Sequence, residues 1–271
     1  MTEPAASPAT ELDAFDPALA EWFRRRFPGG PTEPQAAAWP LIRDGVDVLV
    51  ASPTGTGKTL TGFMVAIDAA LRRRACDAVG AGVSAEARSD AGPAPASSRT
   101  AGPEVLYISP LRALAVDVHE NLALPLEGVR RVAEELGREV PELTVAVRTG
   151  DTPASERAGM RRHPPDLLVT TPESLYLLLT AAGSRAMLRH VRTVIVDEVH
   201  TLARDKRGAH LALSLERLSR LVAGDADADG SDADGAGDGA GDGAAAGAAA
   251  DAGGPRRGHR LQRIGLSATQ R

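Results

Sequence analysis

Short apolar runs alternate with longer amphipathic stretches through most of this 271-residue chain. Most of the runs are apolar at consecutive positions, which is typical of strands covered by helices on both faces. Strands that alternate with helices favour a parallel sheet. The sequence therefore predicts an α/β fold with a doubly wound, mainly parallel sheet. The predicted strands cover residues 47–51, 104–109, 143–149, 166–171, 193–198 and 263–268.

The amphipathic stretches between these runs predict the helices that cover the sheet. Pro125 lies inside one such stretch, and an internal proline removes a helical hydrogen bond and clashes with the preceding turn. We therefore expect the helix to be split at Pro125. The predicted helices include residues 58–73, 111–122, 126–136, 172–180 and 199–221.

Two segments, residues 77–103 and 223–254, are rich in Ala, Gly, Ser, Pro and Asp and almost free of large apolar side chains. Such segments cannot bury enough apolar surface to offset the entropy of ordering. We expect both to be unstructured surface insertions within one domain that spans residues 1–271. The second segment could instead be an acidic decoy for nucleic acid, but a solvated linker is the favoured interpretation.

The formal net charge of −5 is unevenly distributed. Residues 223–254 hold eight Asp and no Lys or Arg, so the rest of the chain carries 28 acidic against 31 basic residues, or about +3. That balance permits a nucleic-acid partner but does not require one.

Targeting and redox signals are sparse. The N-terminus has no basic segment followed by an apolar core, and no apolar run approaches the roughly 20 residues of a membrane helix. The single cysteine, Cys76, excludes an internal disulfide and a cysteine-based zinc cluster, and it fits a reducing compartment. The sequence predicts a soluble, cytoplasmic protein without a membrane partner.

The stretch "SPTGTGKT" at 52–59 follows a predicted strand and opens a predicted helix, the context of a phosphate-binding loop. Glycines let backbone N–H groups turn toward a phosphate, and the helix N-terminus adds its positive end. A lysine then reaches the β- and γ-phosphates, and a threonine hydroxyl meets Mg²⁺. The alternative is a Gly-rich turn beside an ordinary surface lysine. The predicted nucleotide-binding residues here are Thr54, Gly55, Thr56, Gly57, Lys58 and Thr59.

A second acidic motif, "DEVH", follows the apolar run at 193–196. A strand that ends in Asp places a carboxylate at the sheet edge where α/β folds hold ligands. Asp197 would bind Mg²⁺ through water, and Glu198 would orient and deprotonate an attacking water. Paired acids can also simply cap the next helix. With a phosphate loop upstream, the catalytic interpretation is favoured.

Further motifs narrow the choice among phosphate-loop proteins. They are "PTEPQAAAWP" at 31–40, "SPLRALAVDV" at 109–118, "RTGDTPASER" at 148–157, "PPDLLVTTPESLYLLL" at 164–179 and "GLSATQR" at 265–271. Together with the phosphate loop and "DEVH", they resemble the first motor domain of a superfamily 2 DEAD/DEAH-box helicase, and more narrowly the large helicase-related, Lhr-like family. The resemblance runs from about Phe15 to Arg271, apart from the two low-complexity segments.

The resemblance implies a RecA-like phosphate-loop NTPase fold with ATP and Mg²⁺ as cofactors. Gln35 would read the adenine edge, and Phe15 would supply the stacking ring. Ser267 and Thr269 would couple the nucleotide site to strand movement through His200.

The resemblance also implies a surface that grips nucleic-acid phosphates through helix starts. Such contacts do not read bases, so we expect sequence-independent binding of single strands or tailed duplexes. DNA is the expected substrate, with RNA left open. Each of these motifs could equally be an ordinary helix start. The implied contacts are Pro110, Leu111 and Arg112, then Thr149, Gly150 and Asp151, then Thr171, Pro172 and Glu173.

The implied activity is ATP-driven helicase or translocase movement, and helicases of this superfamily close two motor domains on ATP. No second motor domain follows Arg271 in this sequence. We therefore expect a fragment that binds ATP but does not unwind alone. Two other classes stay open: another phosphate-loop NTPase, such as a nucleotide kinase, and a non-catalytic nucleic-acid-binding fragment.

Overall fold

The computed structural model describes residues 11–53, 55, 57–86, 102–110, 112–224 and 258–268. Its centre is a six-stranded, wholly parallel sheet with the strand order β1-β6-β5-β2-β4-β3. All six predicted strands are present, which confirms the α/β prediction. The strands are β1 (Val48–Ser52), β2 (Val105–Ile108), β3 (Val145–Arg148), β4 (Leu167–Thr170), β5 (Thr193–Val196) and β6 (Gln262–Ala268).

Helices cover both faces of this sheet. The first two precede β1, and the others lie in the connections between strands. In chain order they are α1 (Pro17–Arg26), α2 (Glu33–Arg43), α3 (Lys58–Glu86), α4 (Arg112–Glu135), α5 (Ala154–Arg162), α6 (Pro172–Thr180), α7 (Ala182–Met187), a 3₁₀ turn (Leu188–His190), α8 (Val199–Leu202) and α9 (Lys206–Ala223).

Two apolar clusters, one on each face, explain why the strands are apolar at consecutive positions. Successive strand side chains point to opposite faces. In β2, Val105 and Tyr107 join the cluster under α1 to α4, and Leu106 and Ile108 join the cluster under α6, α7 and α9. Alternate side chains of each central strand are thus buried on opposite faces of the sheet.

The expected break at Pro125 is wrong, because α4 runs unbroken from Arg112 to Glu135. Leu122 and Val129, on either side of the proline, are both buried in the cluster that contains α1. Gly128 leaves room for the Trp22 indole, whose Nε1 would lie 2.3 Å from a Cβ at that position. Packing of one continuous face against α1 therefore outweighs the hydrogen bond that a proline removes.

The expected boundaries of the low-complexity segments also need correction. Residues 77–86 are helical rather than unstructured, since α3 continues to Glu86. Gly102 and Pro103, at the other end, are buried, and a Cβ on Gly102 would meet the Met187 carbonyl. The remaining parts, 87–101 and 225–254, lie outside the described residues.

The predicted helix 199–221 is divided in two. Helix α8 ends at Leu202, and α9 begins at Lys206, where the Asp205 carboxylate accepts hydrogen bonds from the backbone N–H groups of Arg207 and Gly208. A side-chain cap of this kind starts a new helix after the turn. In the part of the chain that the structure describes, no helix has the length and apolar character needed to cross a membrane.

Candidate nucleotide and nucleic-acid site

All strands are parallel, so the loops that follow them meet at one edge of the sheet, where α/β folds bind ligands. The strand order divides this edge into two halves. The loops after β1 and β5, together with the end of β6 between those strands, form what we call the phosphate-loop half. The loops after β2, β4 and β3 lead into α4, α6 and α5 and form the helix-start half.

The backbone of the phosphate loop adopts conformations that suit only glycine. Gly55 and Gly57 have φ angles of +83° and +77°, in the left-handed region. A Cβ on Gly57 would also lie 2.7 Å from the Gln35 amide nitrogen. The loop can therefore turn its N–H groups inward and press against α2 only with glycine at this position.

Lys58 is the first residue of α3 and is almost buried. Its ammonium group donates hydrogen bonds of 2.7 Å to the carbonyl oxygens of Ser52 and Pro53. The cation is thereby held within the loop, beside the positive end of the helix. The predicted neighbours Thr54 and Thr56 lie outside the described residues.

Gln35 lies against this loop, and its role toward adenine stays a prediction. Its amide nitrogen donates to the Gly57 carbonyl at 3.3 Å, and its amide oxygen accepts from Thr32 N at 2.9 Å as part of a capping box for α2. The side chain is buried. Gln35 therefore joins the start of α2 to the phosphate loop.

Phe15 is a core residue, and the prediction of a stacking ring is wrong for this structure. Its ring is 3% exposed. Trp39 meets it edge-on at a centroid distance of 5.0 Å, and the Arg43 guanidinium lies 5.1 Å from its centroid. Since both contacts occupy the ring, it offers no open face to a base. The reason is tertiary, because the layer formed by α1 and α2 needs aromatic volume.

Asp197 is held by a buried tyrosine that the sequence analysis did not single out. The Tyr107 hydroxyl donates to Asp197 Oδ2, and Asp197 Oδ1 accepts from Glu198 N at 2.9 Å. Burial raises the pKa of Tyr107 far above its usual value, as does the neighbouring Asp197 carboxylate, while a hydrogen bond with Thr59 opposes that rise. The phenol thus stays protonated and links Thr59 to Asp197, the two predicted metal-binding residues.

The position of Tyr107 gave only a weak signal in the sequence. It lies in the apolar run "VLYI", where an aromatic residue is expected to be a core residue. Its ring does stack on that of Phe63, with 4.8 Å between the ring centroids. A buried tyrosine hydroxyl nevertheless needs a hydrogen-bond partner. A tyrosine one residue before the end of a central strand could therefore have been flagged as a candidate.

Glu198 adopts a strained backbone conformation. Its φ of 48° is the one positive φ among the described non-glycine residues. Strain of this kind costs about 1–3 kcal/mol and clusters at functional sites. Here it turns the Glu198 carboxylate toward His200, with 3.2 Å between Oε2 and Nε2.

His200 joins Glu198 to the end of β6. Ala268 N donates to His200 Nδ1 at 3.3 Å, so Nδ1 is the acceptor nitrogen, and the Ser267 hydroxyl lies at the same distance from it. The proton is then on Nε2, which donates to Glu198. His200 and Ser267 are thus in contact, and their coupling role stays a prediction. Thr269 lies outside the described residues.

The described loops of the helix-start half are ordered by hydrogen bonds between threonine hydroxyls and backbone N–H groups. Thr171 is buried and caps α6, with its hydroxyl accepting from Ser174 N, and Pro172 is the first helical residue. The loop after β3 is ordered by a 2.9 Å hydrogen bond from Thr149 N to the Thr152 hydroxyl, with the predicted Gly150 and Asp151 between them. Arg112 begins α4, next to Pro110, and Leu111 lies outside the described residues.

Glu173 does not face the edge as a free carboxylate. Arg207 donates to it at 2.7 Å and to the Pro110 carbonyl at 2.8 Å, so one guanidinium joins the β2 loop to the start of α6. Partial burial raises the pKa of Glu173, but the Arg207 hydrogen bond helps bring it below its usual value. Arg207 was not singled out from the sequence, where it reads as a residue on a charged helix face.

Comparisons with known proteins agree with this geometry. The model of the DEAD/DEAH box helicase family matches residues 32–270. The chain is 50% identical over 222 residues to the Lhr helicase and probable uracil glycosylase of Mycolicibacterium smegmatis. It is 46% identical over 206 residues to the ATP-dependent helicase Lhr-Core of Methanothermobacter thermautotrophicus. These alignments cover 82% and 76% of this chain but only 13% and 21% of the relatives.

Solved structures give the same result. The M. smegmatis helicase Lhr bound to ssDNA and AMP-PNP matches with a TM-score of 0.70 and 43% identity, over 96% of this chain and 26% of that one. The DEAD-box helicase Mss116 bound to ssRNA and UDP-BeF matches with a TM-score of 0.63, over 100% of this chain and 42% of that one. At 15% identity the second match shows the fold alone. This chain belongs to the DEAD/DEAH box helicase family and is similar, within it, to the Lhr helicases.

Proposed function

We propose that this chain is the ATP-binding motor domain of an ATP-dependent nucleic-acid helicase or translocase. One observation carries the proposal. A single sheet edge presents a glycine loop with a buried lysine and, linked to Thr59 of that loop through the Tyr107 hydroxyl, an acidic pair, and beside them a row of helix starts. The first arrangement suits a nucleoside triphosphate, and the second suits a phosphodiester backbone.

Nucleotide binding would use groups that now bond within the loop. Lys58 would exchange the Ser52 and Pro53 carbonyls for phosphate oxygens, and the N–H groups around Gly55 and Gly57 would complete the cradle. The AMP-PNP in the structure of the M. smegmatis relative supports this assignment.

Thr59 and Asp197 would hold Mg²⁺. Tyr107, which bonds to both, would fix the orientation of the Asp197 carboxylate. A bound Mg²⁺ neutralises charge on the β- and γ-phosphates. No cluster of three or more His, Cys, Asp or Glu able to hold a metal occurs among the described residues. This donor set still fits Mg²⁺, which takes one or two protein ligands and completes its shell with phosphates and water.

Glu198 would position and deprotonate the attacking water. Its contact with His200, and the contacts of His200 with Ser267 and Ala268, give a path from the γ-phosphate side of the site to β6. Movement of β6 on hydrolysis would thereby reach the residues that follow Ala268.

Nucleic acid would lie across the helix-start half. Backbone N–H groups in the first turn of α6, after Pro172, and around Gly150 would address phosphates, which every sequence shares, so binding should show little base preference. The ssDNA in the structure of the M. smegmatis relative favours a single strand as the ligand.

The two other classes explain less of the edge. A nucleotide kinase would leave the helix-start half without a ligand. A passive clamp would have no use for the buried contacts that link Lys58, Asp197 and Glu198 to their surroundings.

Steady-state ATP hydrolysis tests the proposal. We expect the 271-residue chain to bind ATP, to hydrolyse it slowly and to separate no duplex. A longer chain with a second motor domain should hydrolyse ATP rapidly and separate duplexes, since arginines supplied from a partner can accelerate hydrolysis by about 10³–10⁵.

Glu198→Gln is the matched variant, and it should lower turnover far more in the longer chain than in this one. Rates are measured with and without single-stranded DNA or RNA. Vigorous unwinding by residues 1–271 alone would contradict the two-domain mechanism, and failure to bind ATP would contradict the proposal itself.

A further inference from the structure

A second basic feature lies next to the helix-start half, in a cleft of about 320 Å³ between β3, α5, α6 and α7. Arg148 at the end of β3 and Arg157 and Arg161 on α5 line it, and we call these three residues the arginine cleft. Met160, Leu178 and Met187 form part of its apolar floor.

The positive charge in this cleft is not neutralised within the described part of the chain. No Asp or Glu there lines the cleft, and none lies within salt-bridge distance of its three arginines. Elsewhere, most comparable arginines are paired, such as Arg73 with Glu104 at 2.6 Å and Arg260 with Asp47 at 2.6 Å. Partial burial lowers the pKa of Arg148, and so do the charges of Arg157 and Arg161. Three unneutralised guanidinium groups thus repel one another in one place.

Two of these arginines are anchored to the loop after β3. Arg148 Nη1 donates to the Thr149 carbonyl at 2.7 Å, and Arg157 Nε donates to the Thr152 carbonyl at 2.7 Å. Each bond uses one of five N–H donors, so the others can bind an anion. Arg161 is exposed, and its Cδ would lie 3.4 Å from a Cβ on Gly183 of α7.

The cleft continues the helix-start half along the side of α6. The helix begins at Pro172 beside the proposed strand-binding loops, and its other end, Leu177–Thr180, lines the cleft. At 1.5 Å per residue, the distance along α6 is about 12 Å. A strand held at Thr171 and Gly150 would therefore reach the arginines by extending a short way past the edge.

We propose that the arginine cleft binds the phosphodiester backbone of the nucleic-acid segment that leaves the helix-start half. This inference rests on the proposed function. A phosphate fits the site because guanidinium groups bind its oxygens with two N–H groups at once. Contacts of this kind do not read bases, so the cleft lengthens the bound segment without adding sequence preference.

The test compares Arg161→Gln with Arg162→Gln, which removes the next charge along α5. Arg162 is exposed and does not line the cleft, and among the described residues its side chain donates to the Ala158 carbonyl, so it controls for net charge. The probe is fluorescently labelled oligothymidylate in a short form that spans the edge alone and in a longer form. Circular dichroism and melting temperatures of both variants check that the fold is intact.

We expect Arg161→Gln to weaken binding of the longer oligonucleotide by about two- to fivefold, as for one exposed charge pair. The slope of log affinity against log salt should fall by about 0.7, the value for one phosphate of a single strand. The short oligonucleotide should bind as before, and Arg162→Gln should change neither affinity as much.

Equal affinities for the two variants, or an equal loss with short and long oligonucleotides, would overturn the arginine cleft as a nucleic-acid site and leave the proposed function standing. An acidic peptide would then be the better ligand for the cleft. Absence of any oligonucleotide binding by the unaltered chain would overturn both proposals.

Discussion

The two halves of the sheet edge are built on different principles. In the phosphate-loop half, polar side chains are buried and bond to one another or to nearby carbonyls, as Lys58, Asp197 and Tyr107 do. In the helix-start half, the groups offered are backbone N–H groups, and the main side-chain link is the exposed guanidinium of Arg207. Removing one partner of a buried pair leaves the other unsatisfied, whereas solvent replaces an exposed one. Substitutions should therefore be costly in the first half and mild in the second.

The largest effect is expected for Lys58→Ala. The variant loses a charge-assisted contact with the phosphates worth about 1.5–3 kcal/mol, or roughly 10- to 150-fold in ATP affinity. Calorimetric titration with ATP and Mg²⁺ measures it. Lys206→Ala, at the start of α9, is the control for loss of a lysine, and unchanged ATP affinity in Lys58→Ala would end the phosphate-loop assignment.

Tyr107→Phe should come next. It leaves the buried Asp197 carboxylate without its phenol donor, which should lower the free energy of unfolding by about 1–2 kcal/mol. Because Asp197 would also be less well oriented, ATP binding should require more Mg²⁺.

The matched control is Tyr176→Phe, which removes the hydroxyl of a tyrosine that is 39% exposed on α6. Urea unfolding and a Mg²⁺ titration of ATP binding are the measurements. Equal, small effects of the two substitutions would show that the phosphate-loop half does not depend on its buried network.

Arg207→Gln addresses the other half. The ion pair with Glu173 is exposed, so its loss should cost no more than about 1 kcal/mol of stability. Oligonucleotide binding should weaken several-fold, because the β2 loop and the start of α6 would no longer be joined. Fluorescence anisotropy measures binding, and Arg217→Gln on the outer part of α9 is the control. A loss of stability as large as that in Tyr107→Phe would break the contrast between the halves.

The smallest effect concerns pH. The pKa of Glu173 is lowered in the folded protein, so its contribution to stability is present above the usual glutamate pKa and is lost as the pH falls through the lowered value. Glu173→Gln should remove this part of the acid sensitivity, an amount below about 1 kcal/mol because the pair is exposed. Unfolding free energies between pH 7 and about pH 3 test it. A difference that grows as the pH rises from about 3 to about 5 and then levels off is the expected result, and a constant difference would contradict it.

Local patterns were sufficient for much of the fold. All six strands could be predicted, because a strand buried on both faces must be apolar at consecutive positions. The candidate phosphate loop could be proposed for a similar reason, since its glycines, Lys58 and Thr59 lie within a few residues of one another. The errors arose where distant packing opposed local preference. Helix α4 continues through Pro125 because α1 packs along it. Phe15 is buried in the core, where its ring packs against Trp39 of α2.

The strand order was decided only in three dimensions. Nothing local places β6 between β1 and β5, yet that order brings Ser267 to His200 and sets Glu198 on the same half of the edge as Lys58. The buried phenol of Tyr107 and the guanidinium of Arg207 are further cases, since their partners lie 90 and 97 residues away in the chain. The sequence by itself determined which segments become strands and which loop takes glycine conformations after β1, because backbone conformation and burial depend largely on neighbouring residues. Tertiary structure alone decided which loops meet, because that depends on how the strands pair across the whole sheet.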